Sequence, residues 1–442
     1  MKFQAALLLF AISFSAAAEP VDVHGQWLQT LRYGTDSQAL EIVQKIKETE
    51  DASFTPELVV LLNRTLNPDL VIAVLDLFAM QKIKDGEASA RVILAEWQDR
   101  RSDLVASAIR YLTALKSEGL VEELVALIDV SDNQIALAAV SGLGKLQDRS
   151  AAASLLARLG SPEYEEERKS QIVLALGELR DPSTVEALIA VIRDKNEDTV
   201  RRLYAADALG KIGDAKAIPV LKELLAEKEA LNRTYAASAL AKFDLGEVYR
   251  ELLQGLRDDN WKVRIECAKA LARPLPPEGR AEAIAILSYK AENDTVSQVK
   301  LEAISTLSLL GGDDTYVFLL NLYKNQKTPL ASREKALTAI LGKSITQAAV
   351  DTIREAVETD IKLKDQRALL AQAKALSTAK APGLKDIYSK FLENSDPFIK
   401  IYGIKGIETN GFGDFRDKLQ VMAEKDPFPA VQKEAGRVLE KL

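Results

Sequence analysis

The sequence predicts an all-α fold, an α-solenoid formed as a superhelix of about twelve similar helical hairpins. One reason is composition: alanine, leucine, glutamate, lysine and isoleucine dominate the 442 residues, and aromatic residues make up only 6%. Such a composition is typical of helices, and no glycine- or proline-rich linker separates globular parts. The second reason is an internal repeat of about 33 residues that continues along nearly the whole chain.

Residues 1–18 have the pattern of a secretory signal peptide. Lys2 supplies a positive charge, residues 5–14 are an apolar run, and residues 16–18 are three alanines of the kind that a signal peptidase recognises. The apolar run is too short to anchor the protein, because a membrane-spanning helix needs about 20 residues. We therefore expect cleavage after Ala18, and a periplasmic or secreted mature protein without a membrane span.

Residues 19–50 are predicted to be an N-terminal extension with a capping helix. Trp27 and Tyr33 precede a single amphipathic helix, which we place at residues 36–50. The first repeat of a stack must be covered on its outer side, so we interpret this helix as a cap.

The repeat is clearest in three segments that align without gaps, residues 202–210, 233–241 and 264–272. The ninth position of each segment is taken as an anchor. Anchors recur at Ala79, Thr113, Gly144, Gly177, Gly210, Ala241, Ala272, Ser308, Leu341, Ser377, Glu408 and Glu440. Each period predicts two helices, the second of which carries the anchor and small alanines that let neighbouring helices approach closely. Stacking of these hairpins would bury one continuous core.

Residues 200–214 read VRRLYAADALGKIGD and closely resemble the HEAT repeat. They are most similar to the short form also found in phycobilin-lyase-like proteins. The resemblance is sharpest over residues 143–272 and weaker towards both ends. HEAT-like solenoids typically bind proteins along a curved face, and their second helices usually line its concave side. The resemblance therefore implies a protein-binding concave face in this chain.

Prolines divide the predicted repeats into two blocks. Residues 51–272 form the first block and residues 281–442 the second, which ends in a charged capping helix at residues 433–442. Residues 273–280 include three prolines, which cannot continue a helix, and we expect the superhelix to bend there.

Two similar tripeptides in the second block are predicted to begin helices. They are Asp396-Pro397-Phe398 and Asp426-Pro427-Phe428. In each, the aspartate would cap the helix and the proline would fit its first turn. The phenylalanine is expected to pack inward.

The sequence offers few groups for catalysis. It has one histidine, His24, and one cysteine, Cys267, so neither a catalytic triad nor a cluster of metal ligands is expected. No glycine-rich phosphate loop or calcium loop is present. A formal net charge of -7 argues against nucleic acid as a partner. We predict no enzyme activity, no catalytic residue, no cofactor and no metal, with Cys267 as a small core residue.

A column of cations stands eight residues before the anchor in seven repeats. Its members are Lys169, Arg202, Arg233, Arg264, Lys300, Arg333 and Lys400. They could form a ladder for an acidic partner. However, this position borders the buried stripe of the helix. We therefore expect the cations to pair with carboxylates or cap carbonyls of adjacent repeats.

The opposite side of the second helix is the better candidate for partner binding. It includes the positions three, six and ten residues before the anchor, which we call row 3, row 6 and row 10. Tyrosines in row 6 and charges in row 3, which change from acidic to basic along the chain, are suited to contacts. The alternative is an ordinary solubilising surface. The candidate residues are Tyr204, Asp207, Tyr235, Lys269, Lys374, Lys405 and Arg437.

The leading functional hypothesis is a non-catalytic scaffold or adaptor in the periplasm or cell envelope, which binds one or more envelope proteins or peptides. One alternative is a bilin-lyase-like enzyme, which the repeat resemblance suggests although no catalytic residue supports it. Another is a binder of peptidoglycan or another anionic envelope polymer through the basic C-terminal rows.

Overall fold

The computed structural model describes residues 22–49, 51–162, 164–343 and 345–442. The predicted signal peptide lies outside these residues. Where the structure describes the chain, its regular secondary structure is α-helix with short 3-10 turns, and no strand occurs. The chain forms two compact units, which meet in sequence between Leu179 and Arg180.

Over the residues that the structure describes, the first unit is an α-solenoid of five stacked helical hairpins. Its helices are α1 (Val23–Tyr33), α2 (Asp36–Thr49), α3 (Thr55–Arg64), α4 (Pro68–Gln81), α5 (Glu87–Ala95), α6 (Ser102–Leu115), α7 (Leu120–Leu127), α8 (Asn133–Leu146), α9 (Ala152–Leu159) and α10 (Glu166–Leu179). The even-numbered, second helices pack on one another in order from α2 to α10.

The second unit is an α-solenoid of eight hairpins over its described residues. Its helices are α11 (Val185–Arg193), α12 (Thr199–Ile212), α13 (Ile218–Leu225), α14 (Ala230–Leu240), α15 (Leu245–Gly255), α16 (Trp261–Ala270), α17 (Pro277–Asn293), α18 (Ser297–Leu310), α19 (Asp313–Lys324), α20 (Leu330–Leu341), α21 (Gln347–Leu363), α22 (Gln366–Leu376), α23 (Lys385–Leu392), α24 (Pro397–Asn410), α25 (Arg416–Lys425) and α26 (Pro429–Leu439). Its second helices also pack in order, from α12 to α26.

The predicted register is confirmed. Each of the twelve anchors lies in a second helix from α4 to α26, or no more than two residues after its end. The prediction of an all-α solenoid of helical hairpins is confirmed as well. The first hairpin has no anchor and was only partly predicted. The capping helix at residues 36–50 is α2, but it is not alone, because α1 packs against it and buries Leu31 completely.

Small residues at the anchor allow the second helices to pack closely. A Cβ atom on Gly144 would lie 2.7 Å from the Cα atom of Ala175 in the next second helix. A Cβ atom on Gly210 would lie 3.0 Å from the Cα atom of Ala239, which occupies the same relative position. The predicted role of small side chains in the repeat is therefore confirmed, and its cause is a neighbouring backbone.

Aspartates set the turn that leads into several first helices. The side chains of Asp148 and Asp214 each accept a hydrogen bond from the backbone N–H two residues later, where a 3-10 turn begins. Gly213 precedes the second of these aspartates and ends α12 with a φ of 76°, a left-handed conformation that glycine adopts without strain.

The proline-rich segment is shorter than predicted. α16 ends at Ala270 and α17 already begins at Pro277, because proline fits the first turn of a helix. The segment lies within the second unit. The bend proposed there stays a prediction. The C-terminal helix α26 begins at Pro429, four residues before the predicted start.

The two Asp-Pro-Phe tripeptides differ in their position relative to the helix that follows. Asp396 caps α24 as predicted, accepting hydrogen bonds from two backbone N–H groups. The prediction that Phe398 packs inward was wrong, because this residue is 62% exposed. Phe398 belongs to row 10, which faces away from the core. Asp426 does not cap α26 directly, because that helix begins only at Pro429.

Candidate protein-binding surface

The three rows chosen from the sequence lie on the accessible side of the second helices. No residue of row 3 or row 10 is buried in any of the twelve repeats. In row 6 only Ser107 is buried, and its hydroxyl donates to Asp76 at 3.0 Å. The prediction that these rows share an exposed face is confirmed. We call them together the second-helix face.

Tyr204 and Tyr235 lie on this face in the neighbouring helices α12 and α14, and both are half-buried. Val200 and Leu231, four residues before these tyrosines on the same helices, are 47% and 52% exposed, and Trp261 at the start of the next second helix, α16, is 39% exposed. We call these five residues the apolar strip. It crosses three consecutive second helices.

Of the residues in the strip, only the two tyrosines were predicted from the sequence. The register did contain the signal for Val200 and Leu231, because both occupy row 10, and Trp261 stands one residue before it. Residues four apart on a helix share a face, so each of these aliphatic residues lies beside a tyrosine. The apolar residues of row 10 thus indicate Val200 and Leu231, whereas Trp261 lies outside the three rows.

Three of the charged candidates are occupied by ion pairs within the protein. Asp207 accepts from Lys242 at 2.7 Å and lies 2.9 Å from Lys211. Lys269 donates to Glu266 on its own helix at 2.9 Å. Arg437 donates to Glu408 at 3.0 Å and also to Glu434, and these hydrogen bonds raise the pKa of Arg437. Ion pairs within the protein thus neutralise most of the charges that make up the predicted acidic-to-basic gradient.

Burial and hydrogen bonding act against each other at Asp207. Partial burial favours its neutral form, but the hydrogen bonds from Lys242 and Lys211 outweigh this and hold its pKa below the usual value. The carboxylate is therefore charged at neutral pH and already has two cations. It has little attraction left for a partner's cation.

Lys374 and Lys405 differ from the other candidates because both are exposed and neither makes an ion pair with a described residue. They lie in adjacent second helices, α22 and α24, and line a groove that also reaches α20. The groove encloses about 750 Å³, and Arg367 and Tyr402 also line it. The Lys405 ammonium lies 5.8 Å from the centre of the Tyr402 ring. We call this feature the basic groove.

The candidate residues therefore separate into groups. Tyr204, Asp207 and Tyr235 lie together on α12 and α14, and Lys374 and Lys405 lie together in the basic groove. Lys269 on α16 and Arg437 on α26 belong to neither group. Arg367 was missed, although it stands in row 10, seven residues before Lys374.

The cation column has a structural role, as predicted. In five members the side chain crosses to a carboxylate at the end of the first helix of the next repeat. The pairs are Arg202–Glu227 (2.7 Å), Arg233–Asp258 (2.7 Å), Arg264–Asp294 (2.7 Å), Arg333–Asp360 (2.6 Å) and Lys400–Asp426 (2.6 Å). Lys300 instead donates to the carbonyl of Glu292 at 2.7 Å, and Lys169 pairs with Glu166 at 3.5 Å.

One of these pairs should make folding sensitive to acid. Partial burial disfavours the charged form of Glu227, but hydrogen bonds from Arg202, Lys195 and Asn232 outweigh it and lower its pKa from 4.5 to about 2. A lowered pKa stabilises the fold above about pH 4.5, and this contribution is lost as the pH falls towards 2. We expect Glu227→Gln to reduce the loss of stability between about pH 5 and pH 3, measured as the shift of the urea midpoint.

Glu186→Gln is the matched control for this experiment, because Glu186 is exposed on α11 in the same unit. Its urea midpoint should follow the wild type across the pH range. A Glu227→Gln variant that keeps the full acid dependence of the wild type would show that the lowered pKa does not contribute to stability.

A buried polar network surrounds the guanidinium group of Arg333 on α20. Arg333 donates to both carboxylate oxygens of Asp360, and through its Nε to the carbonyl of Tyr323 at 3.0 Å. Gln372 donates to the same carboxylate at 2.7 Å and to the Tyr323 hydroxyl at 3.1 Å. All four side chains are buried, so the network joins four consecutive helices, α19 to α22, inside the core.

His24 and Cys267, whose side chains could in principle serve in catalysis, both occupy structural positions. Cys267 is completely buried, as predicted, and this burial raises the pKa of its thiol. His24 donates to or accepts from the Ser53 hydroxyl at 2.8 Å, and its ring lies 4.5 Å from that of Phe54. Among the described residues no group of three or more His, Cys, Asp or Glu side chains is arranged to hold a metal ion. None of the described helices is long and apolar enough to cross a bilayer.

Comparison with known proteins identifies the repeat. A family model described as Spirochaete HEAT repeat protein matches residues 31–438. No curated protein matches the sequence.

Solved structures share the helical-repeat fold at low sequence identity. A structure of Kap95p with RanGDP is 15% identical with a TM-score of 0.52, and covers 96% of this chain and 64% of that chain. Importin beta is 14% identical with a TM-score of 0.47, covering 94% and 67%. The CpcE–CpcF phycocyanin lyase complex from Nostoc sp. PCC7120 is 19% identical with a TM-score of 0.33, covering 54% and 94%. These likenesses concern the fold alone.

Proposed function

Because the chain belongs to the Spirochaete HEAT repeat protein family, we propose that it is a non-catalytic scaffold that binds other proteins along its second-helix face. We place this activity in the periplasm or at the cell envelope, on the basis of the signal-peptide pattern at residues 1–18. A helical-repeat scaffold fits a protein-binding role, since stacked hairpins offer one long, regular surface.

The apolar strip is the observation that supports this proposal most strongly. Soluble proteins usually hide contiguous apolar surface, and exposed patches are typical of interaction sites. The strip combines Tyr204, Tyr235 and Trp261 with two aliphatic side chains. Tyrosine and tryptophan are the residues that most often dominate binding energy, because they bury a large area with few rotatable bonds.

The charged residues around the apolar strip favour a partner that binds reversibly over one that covers the strip permanently. Asp207 on α12 forms an ion pair with Lys242, which lies two residues after the end of α14. The Lys262 ammonium lies over the ring of Trp261, 5.7 Å from its centre. Charged groups around an apolar centre resemble the rim of a protein–protein interface.

Replacing both tyrosines with alanine should weaken partner binding by at least about tenfold, because each truncated anchor typically removes 1 kcal/mol or more. The measurement is recovery of crosslinked partners from envelope extract by the Tyr204→Ala/Tyr235→Ala double variant. Its melting temperature should stay close to that of the wild type, since both rings are only half-buried.

Tyr289→Ala is the control for this variant, because Tyr289 is 62% exposed on α17, a first helix outside the second-helix face. It should retain full partner recovery. Equal recovery by the double variant and the control would remove the tyrosines from the binding site. A wild-type protein recovered alone after crosslinking would contradict the scaffold proposal itself.

A further inference from the structure

The basic groove concentrates positive charge that no described carboxylate pairs at ion-pair distance. Three of its lining residues are cations, Arg367, Lys374 and Lys405, and one is an anion, Glu334. The groove thus has a formal charge of three minus one, or +2, in a protein whose net charge is -7. None of the three cations makes an ion pair with a described residue.

The contrast with neighbouring cations makes this arrangement informative. Arg333 on α20 and Lys400 on α24 both have carboxylate partners at 2.6 Å. Glu434, on the helix after Lys405, is hydrogen-bonded to Arg437 at 2.8 Å. The column cations thus have carboxylates at ion-pair distance, whereas the cations of the groove have none among the described residues, and Lys405 has only a longer-range attraction to Glu434.

The groove also has an apolar floor. Leu330, Leu370 and Ala371 line it between the cations, and each is partly exposed. The ring of Tyr402 forms part of the wall. A ligand that fills the groove must therefore present aliphatic groups as well as negative charge.

The spacing of the cations sets the spacing of the negative charges. Arg367 and Lys374 are seven residues apart on α22, or about 10 Å at a rise of about 1.5 Å per residue. Lys374 and Lys405 lie in adjacent packed helices, whose axes are typically about 8–10 Å apart. An extended peptide advances about 3.3 Å per residue, so carboxylates three residues apart match the step from Lys374 to Lys405 when the peptide crosses from α22 to α24.

We propose that the basic groove binds an extended, acidic segment of a partner protein, with carboxylates about three residues apart and small apolar residues between them. Two successive carboxylates pair with Lys374 and Lys405, Arg367 adds to the positive charge of the groove, and the apolar residues cover Leu330 and Leu370. The aliphatic floor favours a peptide over an anionic polysaccharide, which has no alkyl side chains to place there. This inference rests on the proposed function, because it assigns a partner chemistry to one part of the second-helix face.

The test is fluorescence anisotropy of the full-length protein with a labelled nine-residue peptide of three Glu-Leu-Ala units. We expect binding that weakens by about tenfold in Lys374→Gln/Lys405→Gln, and strongly between about 50 and 500 mM salt, where exposed charges are screened. The matched control is Lys45→Gln/Lys47→Gln, which removes two exposed cations from α2, away from the basic groove and the apolar strip. It should bind the peptide as the wild type does.

Three results would overturn the inference. The first is equal binding of a peptide with glutamine in place of glutamate, and the second is unchanged binding by the Lys374→Gln/Lys405→Gln variant. The third is displacement of the peptide by polygalacturonate at the same carboxylate concentration, which would assign the groove to polysaccharide. Any of these results together with intact, tyrosine-dependent partner recovery would leave the proposed function standing.

Discussion

Replacing Arg333 with methionine should lower the free energy of unfolding of the repeats around α20 to α22 by about 3–5 kcal/mol. Asp360 is completely buried, and Arg333 donates to both of its carboxylate oxygens. Methionine would fill much of the space but leave the carboxylate without its cation. Gln372 alone would then hydrogen-bond to it through the contacts that the structure describes.

Hydrogen exchange of α20, α21 and α22, together with the urea midpoint, measures this loss. Local protection is the sharper readout, because repeats in a solenoid can unfold in parts. Lys335→Met is the matched control: it removes an exposed cation from the same helix and should change stability little.

A second variant separates the ion pair from general loss of packing. Arg333→Met/Asp360→Asn removes the buried charge together with its partner, so it should be more stable than the sum of the two single changes. If the stability lost by the double variant equals the sum of the two single losses, the two side chains do not interact strongly. The same conclusion would follow from an Arg333→Met protein as stable as the Lys335→Met control.

Gly144→Ala should destabilise the first unit by about 1–3 kcal/mol, even though alanine is the better helix former. The new Cβ atom would lie 2.7 Å from the Cα atom and 2.8 Å from the carbonyl oxygen of Ala175. Both are backbone atoms, which cannot rotate away as a side chain can. Helices α8 and α10 must therefore separate, and hydrogen exchange should report lower protection in both.

Gly436→Ala is the matched control, since Gly436 lies within α26 and a Cβ atom there would meet nothing within 4 Å. This variant should gain about 0.5–1 kcal/mol, the usual advantage of alanine over glycine in a helix. If both substitutions stabilise the protein, the close approach at the anchor does not constrain the stack.

Cations at different positions of the repeat have different roles on this surface. Of the seven cations that stand eight residues before the anchor, five hold consecutive repeats together, as the Arg264–Asp294 pair does at 2.7 Å. Those in rows 3 and 10 lie on the open side. Among them Lys269 is paired, whereas Lys374 and Arg367 are available to a partner. Position within the repeat thus predicts accessibility, but it does not predict which charge is free.

The sequence by itself determined the helical hairpins, the twelve anchors, the exposed rows and the structural role of the cation column. These properties follow from periodicity, because the position of a residue in its repeat fixes the direction of its side chain from the helix axis. Only the tertiary structure decided which charged candidates are compensated. Asp207 meets Lys242 from the next repeat, and Arg437 meets Glu408 from the preceding one. Such pairs depend on the distance between the ends of long side chains on different helices, which no repeat pattern specifies. The apolar strip and the basic groove arise in the same way, from neighbours that are about 30 residues apart in sequence and become adjacent when the hairpins stack.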